Sequence, residues 1–165
     1  MNQSRKIIYV ISAYITSGIW ITAYLNCLYL LMRKLLIVDD STDLIYGMQR
    51  LLTFYDFNVR VAKDHKTLIH ELESFNPEII LIDVLLGGED GREICRALRE
   101  TSSFKQLTII LFSASSKYLE NLQEAGADGA IQKPFEITDL INQIKFAVLH
   151  RKNISLSAWK YQKKI

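Results

Sequence analysis

Short apolar segments alternate with segments of helical periodicity between about residue 34 and residue 150. Five mostly apolar runs are too short for helices and predict strands of a parallel sheet, several of them buried on both faces. They are residues 35–38, 58–62, 79–83, 107–112 and 129–132. After each run, apolar side chains recur at the three- and four-residue spacing of one helix face. They include Leu44, Ile45, Met48, Leu51 and Leu52; Leu68, Ile69 and Leu72; Ile94 and Leu98; Leu119 and Leu122; and Leu140, Ile141, Ile144 and Val148. This alternation predicts an α/β fold, a doubly wound five-stranded parallel sheet in a three-layer α/β/α sandwich.

Turn and cap residues stand where this alternation needs them. Pro77 precedes the third predicted strand, and Gly87 with Gly88 follows it. Asp64 precedes the second predicted helix, where an aspartate can cap the free N–H groups. These residues support the predicted boundaries between strands and helices.

The front of the chain departs from this pattern. Residues 7–32 form a run of 26 residues without a charge, 20 of them hydrophobic. As a helix the run would span about 39 Å, more than the roughly 30 Å core of a bilayer. Met32, however, stands where the globular domain would naturally begin. Two hypotheses therefore remain open for residues 1–31, a membrane anchor or an extension upstream of the true start.

Length and charge divide the chain into three parts. With 165 residues it has the length of one domain, which we place at 32–150, between the extension at 1–31 and a short basic tail at 151–165. Residues 32–149 carry 13 Lys+Arg against 18 Asp+Glu, a net charge of −5. Such a domain is a poor nucleic-acid binder, and the tail is too short for a DNA-binding domain. Cys27 and Cys95 lack metal-ligand spacing, which favours a reduced, cytoplasmic setting.

Polar residues follow four of the predicted strands. Asp39 and Asp40 follow the first strand, Asp83 ends the third, Ser113 follows the fourth and Lys133 follows the fifth. Because ligands of open parallel sheets bind outside the carboxyl ends of the strands, these side chains should converge on one edge. Taken singly, each could be a solvated turn or a helix cap. Their joint occurrence at four strand ends favours a site.

Three carboxylates at one edge would raise one another's pKa unless a cation offset their charge. Oxygen ligands of this kind suit Mg²⁺, and a nearby lysine could pair with a carboxylate or a phosphoryl oxygen. The arrangement favours chemistry in which an anionic group is transferred onto a carboxylate.

Residues 33–149 resemble a receiver domain of the two-component response-regulator family, whose fold is flavodoxin-like. The resemblance rests on several motifs in order: Leu-Leu-Ile-Val-Asp-Asp at 35–40, Ile-Ile-Leu-Ile-Asp at 79–83, Asp90-Gly91, Ser113-Ala114 and Lys133-Pro134-Phe135. The resemblance implies that Asp83 accepts a phosphoryl group from a sensor kinase phosphohistidine. It also implies Mg²⁺ ligation by Asp39, Asp40, Asp83 and the Leu85 backbone carbonyl. Ser113 and Lys133 would contact the phosphoryl oxygens.

Three positions differ from the family pattern. Gly87 replaces a common proline, so we expect a more mobile loop. Ser113 stands where many members have threonine and keeps the hydroxyl. Ala130 replaces a Tyr or Phe that acts as a rotamer switch in many members, which puts aromatic gating of the output face in doubt.

We therefore expect a stand-alone response regulator that catalyses only its own aspartyl phosphorylation and dephosphorylation. Its expected partners are a sensor histidine kinase or phosphotransfer protein and an unidentified downstream protein. It would be cytoplasmic, with tethering to the inner membrane face through residues 7–32 left open. The alternative is a receiver-like interaction module that acts without phosphorylation.

Overall fold

The computed structural model describes residues 33–120 and 122–151. Five parallel strands form one sheet in the order β2-β1-β3-β4-β5. The strands are β1 (Lys34–Val38), β2 (Asn58–Ala62), β3 (Ile79–Asp83), β4 (Thr108–Ser113) and β5 (Gly129–Gln132). The helices are α1 (Thr42–Phe54), α2 (His65–Phe75), α3 (Gly91–Glu100) and α4 (Ile137–Arg151). The predicted doubly wound parallel sheet is confirmed.

Helices cover both faces of the sheet because its inner strands are apolar on both sides. All five residues of β3 and all six of β4 are buried. Alternate strand residues such as Ile80, Ile82 and Leu111 pack with Leu68 of α2 and Leu98 of α3 in one core cluster. The intervening strand residues point to the other face, where α1 and α4 pack. The result is the predicted three-layer sandwich.

The fourth predicted helix is wrong in type. Ser116–Leu119 and Leu122–Ala125 form two 3-10 helices instead of one α-helix. The apolar signal here was only Leu119 and Leu122, too little to specify a long amphipathic face. Gly126, with φ of +76°, then ends the segment before β5. This change does not alter the order of the strands.

The N-terminus of α2 is capped as predicted. Thr67 N–H donates to Oδ1 of Asp64 at 2.8 Å, and the backbone N–H of Asp64 donates to Thr67 Oγ1 at 3.3 Å. This reciprocal pair is a capping box, which satisfies N–H groups that the first turn leaves free.

No helix in the described ranges, 33–120 and 122–151, is long and apolar enough to cross a membrane. The predicted hydrophobic extension at 1–31 and all of the basic tail beyond Arg151 lie outside these residues. The two hypotheses for the extension therefore both stay predictions.

Candidate functional site

The acidic cluster lies where the strand order reverses. β1 and β3 are neighbours in the sheet, with Val38 in register with Ile82, so the residues that end both strands meet at one edge. One carboxylate oxygen from each of Asp39, Asp40 and Asp83 lies within 4.8 Å of the others. Asp39 is fully buried and Asp83 is 8% exposed, whereas Asp40 faces solvent. Asp40 is thus the carboxylate of the cluster that is most open to solvent.

Lys133 bridges the two buried carboxylates. Its Nζ lies 2.7 Å from Oδ2 of Asp39 and 3.1 Å from Oδ2 of Asp83. The backbone N–H of Lys133 donates to the Ser113 carbonyl at 2.8 Å, which holds the loop after β5 beside the end of β4. A cis peptide bond joins Lys133 to Pro134. The Lys133–Asp39 pair joins residues that are 94 positions apart in the sequence.

Burial raises the pKa of Asp83 above its ordinary value, since a charged carboxylate loses solvation there. The hydrogen bond and positive charge of Lys133 act in the opposite direction, and the charge of Asp39 adds to the rise. The backbone N–H of Leu85 also donates to this carboxylate and lowers its pKa. Two opposing effects therefore act on the pKa of Asp83: desolvation raises it, and the adjacent ammonium of Lys133 lowers it.

Phe112 belongs to the site, although no motif in the sequence singled it out. The Lys133 ammonium lies 4.3 Å from the centre of its ring, within cation–π range. Phe135 contacts the Phe112 ring edge-on, with the centroids 6.4 Å apart. The signal that could have found Phe112 is its position in β4, where it pairs with Asp83 across the sheet.

Ser113 is 1% exposed and ends β4 one residue beyond the partner of Asp83. Its Oγ accepts a hydrogen bond from the Ser115 N–H at 3.3 Å. Leu85 lies two positions after Asp83 and is 53% exposed. The contact of the Ser113 hydroxyl with phosphoryl oxygens and the metal-ligand role of the Leu85 carbonyl stay predictions.

The segment after Asp83 is a small hairpin, and the geometry of its turn explains why position 87 is not a proline. Leu85–Leu86 pairs antiparallel with Glu89–Asp90. The turn residues Gly87 and Gly88 have φ of +55° and +95°. Two positive φ values suit the tight turns of hairpins, and proline, fixed near −65°, could not occupy position 87 in this turn.

Gly91 fixes the other end of this segment. A Cβ at this position would lie 2.1 Å from the backbone oxygen of Asp83. Its N–H donates to the Val84 carbonyl at 2.9 Å. The preceding Asp90 caps α3 through the Arg92 N–H and forms an ion pair with the Arg92 side chain at 2.6 Å. The loop is thereby held against the acidic edge.

The donor set fits a hard divalent cation. Three carboxylates converge, and the exposed Asp40 leaves the cluster accessible from solvent. Oxygen ligands of this number and charge suit Mg²⁺, which usually takes one or two carboxylates and completes its shell with water or phosphate oxygens. Lys133 supplies a second positive charge on the buried side. The site can therefore bind an anionic group next to Asp83.

Comparison with known proteins agrees with this geometry. A family model described as the response regulator receiver domain matches residues 35–145. The response regulator protein GraR of Staphylococcus aureus is 34% identical over 114 residues, which are 68% of this chain and 50% of GraR. The chain thus spans about half the length of the curated relatives that it matches.

Solved structures show the same similarity. A protein of Chloroflexus aurantiacus assigned as a response regulator aligns with a TM-score of 0.65 and 30% identity, covering 72% of this chain and 98% of that one. A response regulator of Thermotoga maritima aligns with a TM-score of 0.63 and 26% identity, covering 72% and 99%. The family model covers most of the described residues and all of the acidic cluster and Lys133, and the chain therefore belongs to the response regulator receiver domain family of two-component systems.

Proposed function

We propose that the protein accepts a phosphoryl group on Asp83 in a reaction that needs Mg²⁺. The observation that carries this proposal is the contact of one buried carboxylate, Asp83, with Lys133 inside a cluster that includes Asp39 and Asp40. In the transfer, an Asp83 oxygen forms a bond to phosphorus while the bond from phosphorus to the donor imidazole nitrogen breaks. The side chain of Asp83 must be ionised to act as the nucleophile.

The other residues hold the entering group. Asp39, Asp40 and Asp83, with the Leu85 carbonyl, would ligate Mg²⁺, whose charge offsets that of the carboxylates and the phosphoryl oxygens. Lys133, now paired with two carboxylates, would transfer one of its hydrogen bonds to a phosphoryl oxygen. Ser113 would donate its hydroxyl proton to another. The Lys133 side chain is only 18% exposed, and this reduced solvation strengthens its attraction for the new charge.

The phosphodonor in this proposal is a sensor histidine kinase or phosphotransfer protein, as membership of the family suggests. The chain catalyses no reaction beyond its own phosphorylation and dephosphorylation, and it acts in the cytoplasm. A downstream protein reads the phosphorylated state by docking. Tethering through residues 7–32 is a separate hypothesis on which the chemistry does not depend.

The test is phosphorylation of the full chain by a small phosphodonor such as acetyl phosphate, followed by intact mass measurement. We expect Mg²⁺-dependent gain of one phosphoryl group that is labile to base, as an acyl phosphate is. Asp83→Asn should abolish the gain, because an amide cannot replace the nucleophile. Asp40→Asn should raise the Mg²⁺ concentration needed. Glu73→Gln, a change at an exposed residue of α2, should behave as wild type.

The alternative of a phosphorylation-independent interaction module is supported by Ala130 and Gly87, two positions that differ from the family pattern. The intact carboxylates and their contact with Lys133 argue against it. If neither the small donor nor the cognate kinase phosphorylates the wild type, this alternative replaces the proposal. Gain that persists in Asp83→Asn would place the acceptor elsewhere.

A further inference from the structure

The Lys133 side chain crosses the end of β4 to reach the acidic cluster. β4 lies between β5 and β3 in the sheet, and neighbouring strands are about 4.8 Å apart. Lys133 directly follows β5, yet its Nζ contacts Asp83 at the end of β3 and Asp39 just beyond β1. The side chain at the end of β4 on this face of the sheet therefore lies along the path of the lysine.

Phe112 occupies that position. It is in register with Asp83 on one side and with Ile131 on the other, and in-register residues of neighbouring parallel strands point to the same face. Phe112 is fully buried, and the Lys133 ammonium lies 4.3 Å from the centre of its ring. The lysine thus extends across this ring toward both carboxylates.

The ring attracts the ammonium in a way that an aliphatic side chain could not. The electron-rich face of an aromatic ring attracts a cation within about 6 Å, and the attraction is larger where the cation has lost solvent. The Lys133 side chain is only 18% exposed. The ring face has no oxygen lone pair, so it does not compete with oxygen atoms for the N–H donors of the ammonium. It can hold the charge while a hydrogen bond passes from a carboxylate to another oxygen.

Phe135 fixes the orientation of the Phe112 ring. It lies two residues after Lys133, and the two aromatic rings meet at 81° with their centroids 6.4 Å apart. This edge-to-face arrangement is a preferred geometry of aromatic pairs. The loop that carries the lysine therefore also packs against the ring that the lysine crosses.

We propose that Phe112 is a positioning residue for Lys133 and, through it, for the phosphoryl group that enters at Asp83. This role rests on the proposed function of Asp83 as the phosphoacceptor. Phe112 takes no part in bond formation. Its ring keeps the ammonium beside Asp83 while the lysine exchanges a carboxylate oxygen for a phosphoryl oxygen, so the new charge meets a cation that is already in place.

Graded fluorination tests this role with little change in the size of the ring. Phenylalanines with one, two and three ring fluorines replace Phe112 in the full chain, kept in one nonionic detergent throughout, and each fluorine withdraws electron density from the ring face. The rate of phosphorylation by acetyl phosphate is measured at saturating Mg²⁺, and urea denaturation checks that stability is unchanged. We expect the rate to fall stepwise, by about tenfold in total. Phe112→Leu, which has no aromatic face, should lower the rate at least as far.

Phe75 is the matched control. Its ring is also buried and lies 4.7 Å from a cation, the Arg60 guanidinium, but Phe75 ends α2 just before β3 begins, away from the strand ends that form the site. The same fluorination at Phe75 should leave the rate unchanged. A further series at Phe112 carries Phe135→Leu as well, which removes the aromatic neighbour and keeps the lysine. The stepwise fall should persist in that series.

An independent signature is the NMR chemical shift of the Lys133 side chain in the unphosphorylated protein. Its ε-methylene protons, next to the ammonium, lie near the ring face, where the ring current shifts their resonance upfield. Phe112→Leu should remove this upfield shift. A Lys133 resonance that is the same in wild type and in Phe112→Leu would contradict the proposed contact.

Failure of this role and failure of the proposed function give different results. If neither acetyl phosphate nor the cognate kinase phosphorylates wild type, the proposed function is wrong and the positioning role is wrong with it. If wild type is phosphorylated but its rate does not depend on fluorination at Phe112, only the positioning role is wrong. The same holds if the dependence disappears with Phe135→Leu, or if fluorination at Phe75 lowers the rate equally, because the effect then comes from ring packing.

Discussion

At the scale of single residues, the site depends on a glycine, which has no side chain, as well as on its charged residues. Gly91 lies so close to the Asp83 backbone that a Cβ would be 2.1 Å from its oxygen and 3.0 Å from its carbon. The obstacle is backbone, which cannot rotate away. We expect Gly91→Ala to lower the free energy of unfolding by about 2–3 kcal/mol and to displace Asp83 from Lys133. Urea denaturation measures the first effect and the rate of phosphorylation the second.

Gly47→Ala is the matched control for this prediction. Gly47 is also in a helix but has open space around it, so alanine should raise the free energy of unfolding by about 0.5–1 kcal/mol through its better helix propensity. If both substitutions stabilise the protein, the close approach at Gly91 is not a constraint. If only Gly91→Ala destabilises it, the steric explanation stands.

At the scale of elements, the positions of the strands were easier to predict than the side-chain contacts between residues at the ends of different strands. All five strands begin and end within one residue of the predicted apolar runs, because strands buried in a sheet leave a clear apolar signal. The strand ends also indicated which side of the sheet the polar residues share. No local pattern could show that Lys133 bridges Asp39 and Asp83, or that Phe112 lies under its ammonium. Those contacts depend on side-chain directions that only the packed sheet defines.

The capping box of α2 yields a prediction that belongs to the element. Hydrogen bonds from Thr67 hold the pKa of Asp64 below its ordinary value. Because the folded-state pKa is lowered, the stabilisation is present above the unfolded pKa and lost as the pH falls through the folded one. Asp64→Ala should therefore lower the urea midpoint at pH 7, and the difference from wild type should shrink at about pH 3.

Asp64→Asn separates the cap from the charge. Asparagine keeps an oxygen acceptor for the Thr67 N–H, so its effect at neutral pH should be smaller than that of alanine. A difference between wild type and Asp64→Ala that grows on acidification would contradict the assignment, since it would mean that the protonated carboxyl stabilises the helix more than the ionised one.

At the scale of the whole domain, an ionic cluster at the start of β5 joins elements that are distant in sequence. Asp128 accepts from Arg99 of α3 at 2.6 Å and from Arg151 of α4 at 2.5 Å, and also from the backbone N–H of Ile109 in β4 at 2.8 Å. Arg99 donates to the carbonyls of Gly126 and Leu107 as well. These side chains are only 12–18% exposed. One carboxylate thus connects both helical layers to the sheet.

Removing that carboxylate should cost more than removing either arginine, because it leaves two largely buried positive charges facing one another. We expect Asp128→Ala to lower the free energy of unfolding by about 2–3 kcal/mol, and Arg151→Ala by less, since Arg99 keeps its partner. Burial already lowers the pKa of Arg99, while the charge of Asp128 opposes that shift, so the guanidinium depends on this carboxylate.

The double variant, which combines Asp128→Ala with Arg151→Ala, should lose less stability than the sum of the two single losses. The reason is that it no longer contains an Arg151 without its carboxylate partner. Urea denaturation of the four proteins gives this coupling, with the exposed Glu124→Ala as control. Additive losses would show that Asp128 holds the two arginines independently, and that the helical layers are not joined through one carboxylate.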